Sequence, residues 1–164
     1  MLDHTRSPTA ERWERVYREE APRVFRALLA SLRDREAARD ALHEAFLVGL
    51  ERPPSHDENL AGWLFRVALR RSRRGPYRPL LSGLADSLWP AVKDDELGQA
   101  LDRLEAGRLL RLLTERQRAI VVAQYYLGLE QAEIARLFNV RRGTVAATLT
   151  QAIARMRRGG QHAI

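Results

Sequence analysis

Arg141, Arg142, Thr144, Thr148, Gln151 and Arg155 are the side chains of this 164-residue chain best suited to recognising another molecule. The arginine fork matches a guanine edge or a phosphate, a glutamine amide matches adenine, and threonine offers a hydroxyl or a methyl group. That is the chemistry of reading nucleic acid, not of making bonds. The groups that catalysis would need are scattered. His4, His43, His56 and His162 lack ligand spacing, no serine stands in a nucleophile motif, and no glycine-rich loop follows a strand. Asp94, Asp95 and Glu96 stand ahead of a helix, where adjacent acids serve its dipole more often than they bind a cation. The sequence therefore predicts a protein that is not an enzyme, with no cofactor and no metal site.

Reading a groove requires a helix that can enter it, and residues 131–151 have the pattern of a helix-turn-helix. Ile134, Ala135, Phe138, Val140 and Val145 are the apolar or small residues that two short crossing helices bury against each other. Asn139 falls at the turn, where a left-handed backbone is needed and asparagine tolerates it better than any residue except glycine. Ala135 belongs at the closest approach, where a larger side chain would push the second helix away. Gly143, Thr144 and Val145 open that second helix, whose inward stripe continues through Leu149, Ile153 and Met156. In such a motif the second helix enters the major groove.

Composition agrees with a nucleic-acid partner. Lys+Arg number 28 against 21 Asp+Glu, a net charge of +7, and the bases are almost all arginine. With no cysteine, disulfides, thiolate metal sites and thiol nucleophiles are excluded, and a reducing compartment is compatible. No stretch approaches the roughly 20 apolar residues of a membrane span, and the first residues lack a signal-peptide core, so the expectation is a cytoplasmic protein without membrane insertion.

The rest of the chain reads as helices with one interruption. From residue 11 to 32 the stripe is Val16, Val24, Phe25, Leu28, Leu29 and Leu32, with Pro22 predicting a kink or a break near Glu20 and Ala21. Asp34 starts a second helix with Ala38, Ala41, Leu42, Ala45, Phe46 and Gly49 inward and Arg39, Asp40, His43 and Glu44 outward. After the loop at residues 53–59, a third helix to about residue 74 buries Leu60, Trp63, Leu64, Val67 and Ala68, and its end carries Arg66, Arg70, Arg71, Arg73 and Arg74. Trp63 fits a core position better than a stacking platform.

Residues 75–95 hold three of the seven prolines and read as a linker, although Leu80, Leu81, Leu84, Leu88 and Trp89 predict that part of it docks on a surface. Helical pattern resumes at Glu96 with Leu97, Leu101, Leu104, Leu109 and Leu112, and Thr114 with Gln117 forms a capping box for a helix that ends near Gly128. The expected fold is all-α, with two small helical domains at residues 9–74 and 96–160 joined by that linker.

Two segments carry a family resemblance. YREEAPRVFRALLASLRDREAARDALHEAFLVGLER with NLAGWLFRVALRRSRR resembles the second conserved region of bacterial sigma factors of the sigma-70 family, extracytoplasmic-function group. TERQRAIVVAQYYLGLEQAEIARLFNVRRGTVAATLTQAIARMRR resembles their fourth region, and the two stand in the family's order. The resemblance implies a subunit that binds core RNA polymerase and directs it to promoter DNA, with an anti-sigma factor as a further partner that it allows. It implies that Asp40, His43 and Glu44 dock on the polymerase clamp, and that the third helix with Arg70, Arg71, Arg73 and Arg74 handles the promoter element nearest the start site. Arg141, Arg142, Thr144, Thr148, Gln151 and Arg155 would then read the more distant element.

The sequence departs from the family at several points. His43 stands where glutamine is usual, Gly75 and Pro76 cut the third helix short, and Ala146, Ala147, Thr148, Thr150 and Gln151 replace larger basic side chains on the recognition helix. Fewer phosphate contacts predict weak DNA binding by residues 96–164 alone, with a shallow salt dependence. Those departures keep a second reading open, a sigma-like regulator or adaptor that binds polymerase or another protein and touches DNA weakly. A dimeric helix-turn-helix repressor or activator is a third reading, and the N-terminal segments argue against it.

Overall fold

The computed structural model describes residues 8–54, 59–72 and 105–161, and within them every regular element is a helix. In chain order these are α1 (Pro8–Leu32), α2 (Arg35–Glu51), α3 (Leu60–Ser72), α4 (Glu105–Arg111), α5 (Glu115–Tyr125), α6 (Gln131–Phe138) and α7 (Arg142–Gln161). The linker at residues 75–95, with Leu80, Leu81, Leu84, Leu88 and Trp89, and the helical pattern at Leu97, Leu101 and Leu104 lie outside the described residues. No described helix is long and apolar enough to cross a membrane.

Helices α1, α2 and α3 pack against one another. α2 forms as its periodicity predicts: the Asp34 carboxylate accepts from the Ala37 amide at 2.9 Å to cap it, and Ala38, Ala41, Leu42, Ala45, Phe46 and Gly49 are all buried. α1 differs from expectation in two ways. Of the kink or break expected at Pro22 there is no break: the helix continues through it, with Ala21, Val24 and Phe25 buried on both sides of the missing donor. Its first half is anchored by Trp13 and Tyr17 rather than by Val16, which is only half-buried. Tyr17 lies 4.0 Å from Phe46 between ring centroids, and burial pushes its hydroxyl above the usual tyrosine range. Trp13 donates its Nε1 hydrogen to the Phe46 carbonyl at 3.3 Å and meets Trp63 edge-on at 5.4 Å. In α3 the buried set is Ala61, Gly62, Leu64, Phe65, Ala68 and Leu69, so the predicted stripe is rotated and Leu60, Trp63 and Val67 are half-buried.

The C-terminal helices build on α5. Thr114 and Gln117 make both bonds of the capping box, and five consecutive residues, Ala119 to Ala123, are buried. A helix with no dry or wet face must be covered from more than one side. α7 and α6 cover part of α5, and α1 covers another part, so the two groups of helices share one continuous apolar core.

Polar bonds tie α1 to α5. Arg118 of α5 donates through Nε to the Ser31 carbonyl at 3.0 Å and through Nη1 to the Leu113 carbonyl at 2.7 Å. Ser31 is fully buried, its hydroxyl satisfied by the Ala27 carbonyl at 2.7 Å. Four residues further back on each step, Ala27 and Arg23 continue that face, and Arg23 donates to the Tyr126 carbonyl at 3.1 Å. Small residues at 27 and 31 let the helices approach. Arg118→Ala should lower stability by about 1–3 kcal/mol, because it removes charge-assisted bonds to two carbonyls at the seam. Urea unfolding followed by circular dichroism reads this directly, and Arg118→Lys should recover only part, since an ammonium cannot span both acceptors.

Candidate nucleic-acid interface

The turn of the helix-turn-helix is built as its sequence requires. Asn139 adopts φ 53° and ψ 50°, and the Val140 amide donates to the Ala135 carbonyl at 2.9 Å across the bend. Ile134, Ala135 and Val145 are buried, while Phe138 and Val140 are partly covered. Ala152 joins Val145 and Leu149 as the buried inner edge of α7, and Ile153 and Met156 are half-buried beside it. At the far end of α7, Gly159 packs beside the exposed Leu112 of the segment after α4, whose side-chain tip a Cβ at that position would have to displace.

On the opposite side of α7 the expected reading residues come together. Thr144, Thr148, Gln151 and Arg155 recur at steps of four, three and four, so they form one stripe, with exposed Arg141 and Arg142 at its start. Thr144, Gln151 and Arg155 are exposed and Thr148 is half-buried. Arg155 donates to the Gln117 side chain at 3.3 Å, which leans it toward the N-terminus of α5. Thr148 donates its hydroxyl to the Thr144 carbonyl at 2.8 Å and Thr150 donates to the Ala146 carbonyl at 3.0 Å. Those two hydroxyl hydrogens are therefore already engaged within the helix.

The other predicted residues fall elsewhere. Asp40 is exposed on α2, and His43 and Glu44 beside it are half-buried rather than fully outward. Burial raises the Glu44 carboxyl above its usual range, opposed by the neighbouring Arg71 guanidinium and reinforced by Asp40. Arg71, half-buried near the end of α3, therefore lies within electrostatic reach of the α2 face. Arg70 is exposed at the end of α3, and Arg73 and Arg74 lie outside the described residues.

Between α3 and α6 lies a cleft that no motif in the sequence announces. It has a volume of about 470 Å³ and is walled by Arg52, Asn59, Gly62, Trp63 and Arg66 on one side and by Leu129, Glu133 and Arg136 on the other. Burial lowers the Arg66 guanidinium below its usual range, with Arg70 and Arg136 adding repulsion and Glu133 opposing them. Gly62 leaves room for Leu129, which a Cβ at that position would strike. Residues from 52 to 137 meet here, a convergence that no local spacing in the sequence announces.

The family described as "Sigma-70, region 4" matches residues 96–156. The "ECF RNA polymerase sigma factor SigL" of Mycobacterium tuberculosis is 30% identical over 152 residues, covering 87% of this chain and 85% of that protein. The "ECF RNA polymerase sigma factor SigM" of the same species is 29% identical over 155 residues, 89% of this chain and 76% of that protein. The "RNA polymerase sigma-E factor" of Streptomyces avermitilis is 32% identical over 103 residues, 62% of this chain and 58% of that protein.

Proposed function

Because the chain belongs to the extracytoplasmic-function group of the sigma-70 family, we propose that it binds core RNA polymerase through the α2 face and carries it to promoters read by both groups of helices. The protein is a sigma factor that directs transcription initiation, and its own side chains position DNA rather than transform it. The observation that carries this reading is the extent of the match: a relative named as an RNA polymerase sigma factor aligns over 87% of the chain, across both groups of helices. A regulator or adaptor without promoter reading is not favoured by such full-length similarity. We place its action in the cytoplasm, where polymerase works. Reconstitution with core polymerase and sequencing of transcript starts tests it: a shared upstream motif is the expected result, and starts identical to those of core alone would refute it.

In this reading Asp40, His43 and Glu44 meet the polymerase, Arg70, Arg71, Arg73 and Arg74 serve the element nearest the start site, and Arg141, Arg142, Thr144, Thr148, Gln151 and Arg155 serve the distant one. Residues 9–74 and 96–160, which share one core in the free chain, act on the promoter as two domains joined by residues 75–95. The face of α3 that carries Trp63 and Arg66 opens into the cleft against α6, whereas the outer face of α7 is open. Reading both elements at once therefore requires the α3 and α6 walls to part.

The absence of native cysteine makes a clean test of that opening available. Gly62→Cys combined with Leu129→Cys puts one thiol on each wall of the cleft, at the place where a Cβ on residue 62 would meet the Leu129 side chain. Mild oxidation of the free protein should close a disulfide between them, and the oxidised protein should lose promoter-directed transcription that reductant restores. Equal transcription from oxidised and reduced protein would show that the walls need not part.

A further inference from the structure

We propose that α7 reads A·T base pairs in the distant promoter element chiefly through thymine methyl groups met by Ala147 and Thr148, with Gln151 on an adjacent adenine. This deepens the sigma reading above and rests on it.

The argument begins with what the outer face of α7 lacks. Between Arg142 and Arg155 it carries no charged side chain, and Ala147, exposed near the middle of that face, offers a ligand only a methyl group. Thr148 next to it has spent its hydroxyl hydrogen on the Thr144 carbonyl at 2.8 Å, and Thr150 has done the same with the Ala146 carbonyl at 3.0 Å. A threonine bonded back to the preceding turn has no donor left for a base edge, so its γ-methyl becomes its distinctive surface. In the major groove the C5-methyl of thymine is the base feature that an alanine or a threonine methyl recognises, and apolar contact with it separates T·A from every other pair.

Gln151 supplies the complementary half. It lies one turn beyond Ala147 and Thr148 on the same face, is exposed, and is the amide side chain on this stretch of α7 able to pair with the N6 and N7 edge of adenine. Short side chains also let the helix axis sit deeper in the groove, which brings small methyl groups within contact distance. Arg141 and Arg142 before this stretch, and Arg155, Arg157 and Arg158 after it, bracket it with charge suited to phosphates on either side.

Replacing thymine by uracil removes only the C5-methyl and leaves all Watson–Crick bonds, so it isolates the proposed contact. A duplex carrying the distant element, selected from a randomised pool by the complex of core polymerase with this protein, provides the substrate. Each contacted methyl is worth roughly a threefold to fivefold change in affinity, on the scale of one buried methyl group. Uracil at the positions facing Ala147 and Thr148 should therefore weaken binding by that factor apiece, and Ala147→Ser should abolish the difference between thymine and uracil at its position while keeping the helix. Equal binding of thymine and uracil duplexes, or an enriched element with G·C pairs at these positions, would overturn the proposal while leaving the sigma assignment intact. Selection of no sequence at all would overturn the sigma assignment and this inference together.

Discussion

Replacing Gly49 by valine is expected to cost about 3 kcal/mol or more of stability, a large share of the roughly 5–15 kcal/mol that holds a domain of this size. A Cβ at position 49 would collide with the Trp13 indole, whose Nε1 would lie only 2.7 Å away. The indole has nowhere to go. It is 4% exposed, bonded through Nε1 to the Phe46 carbonyl and packed edge-on against Trp63. Overpacking of this kind costs about 1–3 kcal/mol, and displacing the indole adds the loss of a buried hydrogen bond, about 1–3 kcal/mol more. The better helix propensity of a residue other than glycine returns at most about 1 kcal/mol. Gly143→Ala is the matched control, because nothing lies within 4 Å of a Cβ there and the same propensity gain should appear uncancelled. Urea midpoints of the two variants should move in opposite directions. A Gly49→Val protein as stable as the parent would mean that α1 and α2 can separate without loss.

The collision at Gly49 also shows where a one-dimensional reading stops. Gly49 was placed inward by its spacing from Ala38, Ala41, Leu42, Ala45 and Phe46, and it is buried as expected, because α2 has a single apolar face and its period is undisturbed. Caps and turns were equally legible: Asp34, the Thr114 and Gln117 box and the left-handed Asn139 are each fixed by residues within four positions. α1 was harder to read because it is buried on more than one side. Trp13, Tyr17 and Ala21 face α2 and α3 while Arg23 and Ser31 reach α5 and the residue after it, so no single stripe describes the helix. A periodicity count leaves the face of α3 rotated because Gly62 and Ala61 look neutral in it, although both are buried and the missing Cβ of Gly62 leaves room for Leu129.

For the site, the stripe on α7 was legible because it lies on one helix. The cleft was not, since Arg52, Arg66 and Arg136 face one another only because α1 packs on α3 and on α5, and α5 in turn carries α6. The coupling of Glu44 to Arg71 was hidden for the same reason. Arg71, which the sequence groups with a basic row, also lies near enough to Glu44 to oppose the upward pull of burial on its carboxyl. That matters for mutagenesis, because a change at Arg71 alters the α2 face as well as the end of α3.

Reversing both acids on α2, Asp40→Lys with Glu44→Lys, should weaken binding to core polymerase at least a hundredfold while leaving helical content unchanged. Asp40 is exposed, so its reversal should shift stability by no more than about 0.5 kcal/mol. Glu44 is half-buried, and a lysine there would face Arg71 as a like charge. Glu44→Gln is therefore measured alongside, to separate loss of the carboxylate charge from introduced repulsion. At an interface, turning an attractive charge pair into a repulsive one costs several kcal/mol, and about 1.4 kcal/mol corresponds to each tenfold loss in affinity. The parent protein should also lose affinity as salt rises, because exposed charges more than about 10 Å apart are screened at 0.1 M, and the double variant should show a flatter or inverted dependence. Fluorescence titration of core polymerase with labelled protein at two salt concentrations reads both effects. Undiminished binding by the double variant would move the polymerase contact away from Asp40 and Glu44, and His43→Gln, which substitutes the side chain more usual in the family, would then be expected to change nothing.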